Sequence, residues 1–152
     1  MPTNLYGPRD NFNLETAHVL PALIHRFHDA KVEGVETVFI WGDGTPLREF
    51  LHVEDLARAC LTLFSNYDEI DAINIGSGQE VTIGNLALLI SKTVGFTGKI
   101  AFNTDRPNGT PRKLLDCNRI SKLGWSPQVG LEAGIALTYD WFLAHYTKES
   151  IS

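Results

Sequence analysis

Arg26, Arg48, Arg112, Lys113 and Trp41, together with a loop around Asn108, are the side chains whose types and spacing point to chemistry. They fall on loops or at the ends of expected elements. A planar guanidinium grips phosphate oxygens through paired N–H donors, so arginines placed this way suit a diphosphate. A tryptophan at a strand end suits stacking on a base. Two ordinary readings stand beside these: Arg26 pairing with Asp29 at i+3, and Trp41 lying in the core.

These groups need elements to hold them. Leu20, Leu23, Phe27 and Ala30 recur at helical spacing. Pro21 is tolerated only in a first turn, so the helix carrying Arg26 starts near Val19, and Gly34 ends it. His18 then sits at the helix mouth, where a side chain can point along the axis into a cleft. Residues 37–41 (TVFIW) read as a strand ending on Trp41, and residues 48–53 (REFLHV) as a second strand beginning on Arg48. Asp55 is expected to cap a helix with Leu56, Ala59, Cys60, Leu63 and Phe64 turned inward. Residues 72–75 (AINI) read as a strand, Thr82 as the cap of a helix closed by Gly95, and residues 99–102 as another strand. A polar loop, residues 103–113, carries Asn108. A short helix runs from Asn118 to Gly124, and a last helix places Leu131, Ile135, Tyr139 and Phe142 on one face. Strands alternating with helices imply an α/β fold, and no linker-like stretch divides residues 1–152.

Composition narrows the function. The chain has 152 residues, 43% apolar and 20% charged, with 13 basic and 18 acidic side chains for a net charge of −5. No basic stripe is present to neutralise nucleic-acid phosphates, and no apolar run reaches a membrane span. Two cysteines, Cys60 and Cys117, make no disulfide framework; both read as packing residues, and the chain as cytoplasmic. Gly42-Asp43-Gly44 leads into a strand, and Gly76-Ser77-Gly78 is followed by Val81 where a dinucleotide fingerprint needs glycine. Both read as turns. No tyrosine is followed four residues on by the lysine that would lower its pKa for proton transfer: Tyr6, Tyr67, Tyr139 and Tyr146 precede Asp10, Asp71, Leu143 and Ser150. His25, His28 and Asp29 offer a paper metal site without a fourth ligand, and read as solvated residues of a helix face. No Gly-x-Ser-x-Gly elbow occurs.

The runs PTNLYGPRDNF, HVLPALIHRFHDAK, WGDGTPLREFLHVEDLARA and NGTPRKLLD, in this order, closely resemble the GDP-L-fucose synthase family, extended short-chain dehydrogenase/reductases acting on nucleotide sugars. The resemblance extends from Pro2 to about His145 and covers the family's C-terminal half, with Met1 read as an internal methionine. It implies a substrate-binding domain with remnant strands of the Rossmann sheet. It also implies, for the full-length enzyme, NADPH-dependent 3,5-epimerisation and 4-reduction of GDP-4-keto-6-deoxy-D-mannose to GDP-L-fucose. His18 matches the family's acid/base histidine and also touches NADP. Pro2, Thr3, Asn4 and Leu5 match the segment along the nicotinamide. Arg26, Trp41 and Arg48 match GDP-sugar contacts, and Asn108 stands where Asp is usual. The cysteine partner and the Tyr–Lys pair belong to the N-terminal half, so this chain alone is expected to be inactive. A homodimer is implied for the whole enzyme.

A non-catalytic GDP-sugar-binding module and a sister nucleotide-sugar epimerase or dehydratase are the alternatives; the segments around His18 and Trp41 favour the fucose enzyme, by analogy. The resemblance further implies unpaired strand edges and bare apolar helix faces, hence aggregation of the isolated chain.

Overall fold

A computed structural model describes residues 1–146. Its elements are β1 (Asn4–Tyr6), α1 (Val19–Glu33), β2 (Thr37–Trp41), β3 (Leu47–His52), α2 (Val53–Asn66), β4 (Glu80–Thr82), α3 (Ile83–Val94), β5 (Lys99–Asn103), β6 (Arg112–Lys113), α4 (Asn118–Lys122) and α5 (Leu131–His145). Strands alternate with helices, as the α/β expectation requires. β3 is the centre of one sheet: it pairs parallel with β1 and β6 and antiparallel with β4. β2 and β5 form a second, parallel pair in which Trp41 lies opposite Asn103.

Two apolar clusters flank this framework. The larger gathers Leu20, Ile24 and Phe27 of α1, Val38 and Ile40 of β2, Leu86 and Ile90 of α3, and Ile135 and Phe142 of α5. The smaller joins Leu51, Ala59, Ile73, Ile75, Ile120 and Trp125. Successive β3 residues feed both, Phe50 one and Leu51 the other, because alternate side chains of a strand point to opposite faces. With both faces covered, Glu49 through His52 are all buried. α1 follows its pattern: Pro21 occupies the first turn, and Gly34 at φ 70° closes the helix by donating to Ala30 O. Thr82 caps α3 through its hydroxyl, and Gly95 ends it in the left-handed region.

Three expectations need correction. Residues 72–75 form no strand; their backbone partner is residues 1–3, and only a single bridge, Pro2 to Ile75, results. The cap of α2 is His52, whose Nδ1 accepts from Glu54 N at 3.4 Å. Asp55 sits inside the first turn with its carboxylate fully buried, accepting from Gln128 N and Val129 N at 2.8 and 2.9 Å. Cys60 is exposed: Ala59 faces the core, and the next residue is turned about 100° away.

Phe64 is 91% exposed, and Leu61 and Ile70 are exposed with it, a bare apolar face on and beside α2. The isolated chain is therefore expected to self-associate, and the double change Leu61→Lys, Phe64→Lys to suppress this with little loss of stability. Light scattering over a concentration series checks it; a monodisperse wild-type monomer with a sharp two-state melt would contradict it.

Candidate active site

The β2 strand alternates, burying Val38 and Ile40 and leaving Trp41 outside the core at 59% exposure. The core reading of Trp41 thus fails on strand parity. α1 packs beside β2 and brings the Arg26 guanidinium to 5.6 Å from the Trp41 ring centroid, while Arg106 approaches the same ring at 5.2 Å. β3 supplies Arg48. Arg26, Trp41, Arg48 and Asn108 line one open cleft of about 390 Å³, along with Ala17 and Val19 on either side of His18.

Neither Arg26 nor Arg48 is ion-paired among the described residues, whereas Arg58, Arg112 and Arg119 all are. Arg26 makes only a 3.4 Å bond to Phe39 O, and Arg48 bonds Leu47 O. Asp29, offered by sequence as a partner for Arg26, instead meets His25 at 3.0 Å. Arg112 is drawn away from the cleft by a two-pronged bond to Glu80, at 2.8 and 2.7 Å. Lys113 is exposed on β6 and lines no part of the cleft.

Asn108 does two things. It lines the cleft, and its Oδ1 accepts from Asp43 N at 2.8 Å, tying the 103–113 loop to the glycine turn after β2. The turn needs its glycine: Gly42 has φ 78°, and a Cβ there would lie 2.2 Å from Asn108 Oδ1. Hydrogen bonds from Thr45 foremost, and from Asn108, hold the Asp43 carboxyl below its usual range. A carboxylate at position 108 would face that anion. Asn108→Asp is expected to lower stability slightly, through repulsion between two exposed carboxylates. Urea midpoints at low and high salt check it, since the deficit should shrink with screening.

His18 is the N-terminal flanking residue of α1, at φ −67° and ψ 164°, yet its ring caps nothing. Its carbonyl accepts from Ala22 N, and its exposed imidazole has no hydrogen-bond partner among the described residues. The ring is free for a ligand at the cleft rim. The preceding loop is anchored by His25, which sequence took for a solvated residue. It is buried, with Nδ1 2.7 Å from Phe12 O and Nε2 2.6 Å from the Tyr146 hydroxyl. Asp10 lies within electrostatic reach of His18; burial pushes its carboxyl up, against the pull of the Asn11 amide and of His18.

The segment matched to the nicotinamide lies on and before β1. Thr3 Oγ1 and Asn4 Nδ2 both donate to Glu49 O, at 3.2 and 2.8 Å, leaving Pro2 exposed and Leu5 half-buried. The turn at Gly76–Gly78 is already filled by an anion of the protein itself: the Glu49 carboxylate accepts from Gly78 N at 2.6 Å and from Leu115 N at 3.2 Å. The Thr3 and Asn4 side chains are thus engaged within the chain, His18 and Pro2 are exposed, and no pyrophosphate turn is found among the described residues. Sequence reasoning missed Glu49, because in a strand that also holds Arg48 and His52 an acidic residue gives no sign of burial.

Residues 1–76, half of the chain, match the family described as NAD dependent epimerase/dehydratase, and they include His18, Arg26, Trp41 and Arg48. The chain belongs to the NAD dependent epimerase/dehydratase family. It is 58% identical over 143 residues to GDP-L-fucose synthase 1 of Arabidopsis thaliana, covering 94% of this chain and 44% of that relative. It is 48% identical over 157 residues to GDP-L-fucose synthase of Escherichia coli (strain K12), covering 97% of this chain and 49% of that protein. Among solved structures, a GDP-L-fucose synthetase from Naegleria fowleri bound to NADP matches with a TM-score of 0.90 at 36% identity, over 95% of this chain and 46% of that one. This epimerase/dehydratase family chain spans about half the length of the curated relatives that it matches.

Proposed function

We propose that the chain is the GDP-sugar-binding half of a GDP-L-fucose synthase, which epimerises C3 and C5 and reduces C4 of GDP-4-keto-6-deoxy-D-mannose. The observation that carries this reading is the convergence of Arg26, Trp41 and Arg48 on one cleft, the two guanidiniums without carboxylate partners and His18 without a hydrogen-bond partner among the described residues. The arginines hold the diphosphate, which leaves the hexose to reach toward α1 and His18. The C4 ketone acidifies the protons on C3 and C5, and an imidazole at the helix mouth returns or removes a proton there. Pro2, Thr3, Asn4 and Leu5, with His18, border the nicotinamide end of NADP. When bound, NADPH supplies the hydride that reduces C4. An upstream half supplies the pyrophosphate site, the cysteine partner and the Tyr–Lys pair, and the complete enzyme is a cytoplasmic homodimer. No helix among the described residues is long and apolar enough to cross a membrane.

Calorimetric titration of GDP into the protein with its upstream half present tests the reading. The double change Arg26→Ala, Arg48→Ala is expected to weaken GDP by about a hundredfold, two charge-assisted contacts being lost. Unchanged affinity would overturn the assignment of the cleft.

A further inference from the structure

Arg106 stands on the exposed stretch between β5 and β6, and neither the sequence spacing nor the family resemblance gives it a role. Three observations place it at the edge of the cleft, beside its lining. Its loop springs from Asn103, the residue opposite Trp41 in the β2–β5 register, and Asn103 O accepts from both Gly42 N and Arg106 N, at 2.9 and 3.3 Å. Asn103 Oδ1 adds a bond from Asp105 N at 3.1 Å, so the turn that presents Arg106 is fixed at its root. The residues that follow it, Pro107, Asn108 and Gly109, all line the cleft.

The guanidinium of Arg106 lies 5.2 Å from the Trp41 centroid and has no ion pair among the described residues. Three carboxylates lie nearby in sequence or along the cleft, Asp105 beside it, Asp43 across the glycine turn and Glu15 in the lining, and it pairs with none of them. A chain with net charge −5 thus leaves Arg26 and Arg48 in the cleft lining, and Arg106 beside it over Trp41, without an ion pair among the described residues. Like charges held together in this way are stabilised by an anion entering between them. Trp41 acts as the shared platform, fixing two of the three cations by contact with its ring.

We propose that Arg106 is a further ligand-binding residue of this cleft, a third guanidinium that closes on the ligand's diphosphate from the loop side. The proposal rests on the GDP-sugar reading of the site and adds to it a residue and a function for Trp41 as a cation platform. GDP and guanosine are titrated into wild type, Arg106→Ala and Arg106→Gln, each with the upstream half present. Glutamine keeps a planar group against Trp41 and removes the charge. Both variants are expected to weaken GDP about tenfold, the loss of one charge-assisted contact, with guanosine affinity unchanged and a shallower salt dependence for GDP. Equal GDP affinity in all three proteins overturns the proposal. So does an equal loss for GDP and guanosine, or retention of GDP affinity by Arg106→Gln, because either marks Arg106 as a stacking residue only. Failure of the wild type to bind GDP at all instead overturns the reading of the whole site, and this inference with it.

Discussion

His18→Ala, in the protein assembled with its upstream half, is expected to lower turnover of the GDP-4-keto sugar by about 10²–10⁴-fold, the usual worth of a positioned acid/base. The affinity for GDP should stay near wild type, since the diphosphate rests on Arg26 and Arg48. The same change should leave stability within about 0.5 kcal/mol, as for other surface positions without special contacts. This follows from an imidazole that is exposed, caps no helix amide and has no hydrogen-bond partner among the described residues. Steady-state kinetics beside thermal melts separate the two effects. A large drop in stability with proportionate loss of activity would assign His18 to structure.

The largest loss of stability is expected at Asp55. Its buried carboxylate accepts from Gln128 N, Val129 N and Arg58 Nη2, so it fixes the chain before α5 to the start of α2. Asp55→Ala orphans two backbone amides at once and should cost about 3 kcal/mol or more, read from urea unfolding. The pH dependence carries a signature. Burial pushes the Asp55 carboxyl up, but the amides and Arg58 outweigh it, and the folded pKa lies below the ordinary 3.8. Below that value the unfolded chain takes the proton first, so this contribution is complete above about pH 4 and is lost as pH falls through the folded pKa. His52, buried against Tyr6 at 5.4 Å, is likewise held below its ordinary 6.5, by burial. Its contribution therefore fades earlier, as pH falls from 6.5 toward the folded value. His52→Gln should remove the first decline and Asp55→Asn the second.

Much of the site could be read from the chain. The spacing of Leu20, Leu23, Phe27 and Ala30 located α1, and Pro21 with Gly34 bounded it, because helix geometry and backbone restriction are local. From those bounds followed the position of His18, and the strand TVFIW carried Trp41 to the cleft. What remained hidden depended on contacts distant in sequence. Phe12 lies 13 residues from the His25 ring that binds its carbonyl, and Asp55 lies 73 residues from Gln128. Nothing in their neighbours announces those partners. Cys60 and Phe64 misled because an apolar residue in a helix reads as inward unless the width of the buried stripe is known; here α2 buries little beyond Asp55 and Ala59. β3 misled in the opposite sense, since a strand covered on both faces buries Glu49 and His52 as firmly as Phe50 and Leu51.

Hydrogen exchange at the sugar carbons tests the role of His18 most directly. With GDP-4-keto-6-deoxy-D-mannose in D2O and no NADPH, the wild-type protein with its upstream half should place deuterium at C3 and C5, and His18→Ala should slow this by about a hundredfold. Exchange at the wild-type rate in that variant would show that His18 serves binding alone and would contradict the acid/base assignment.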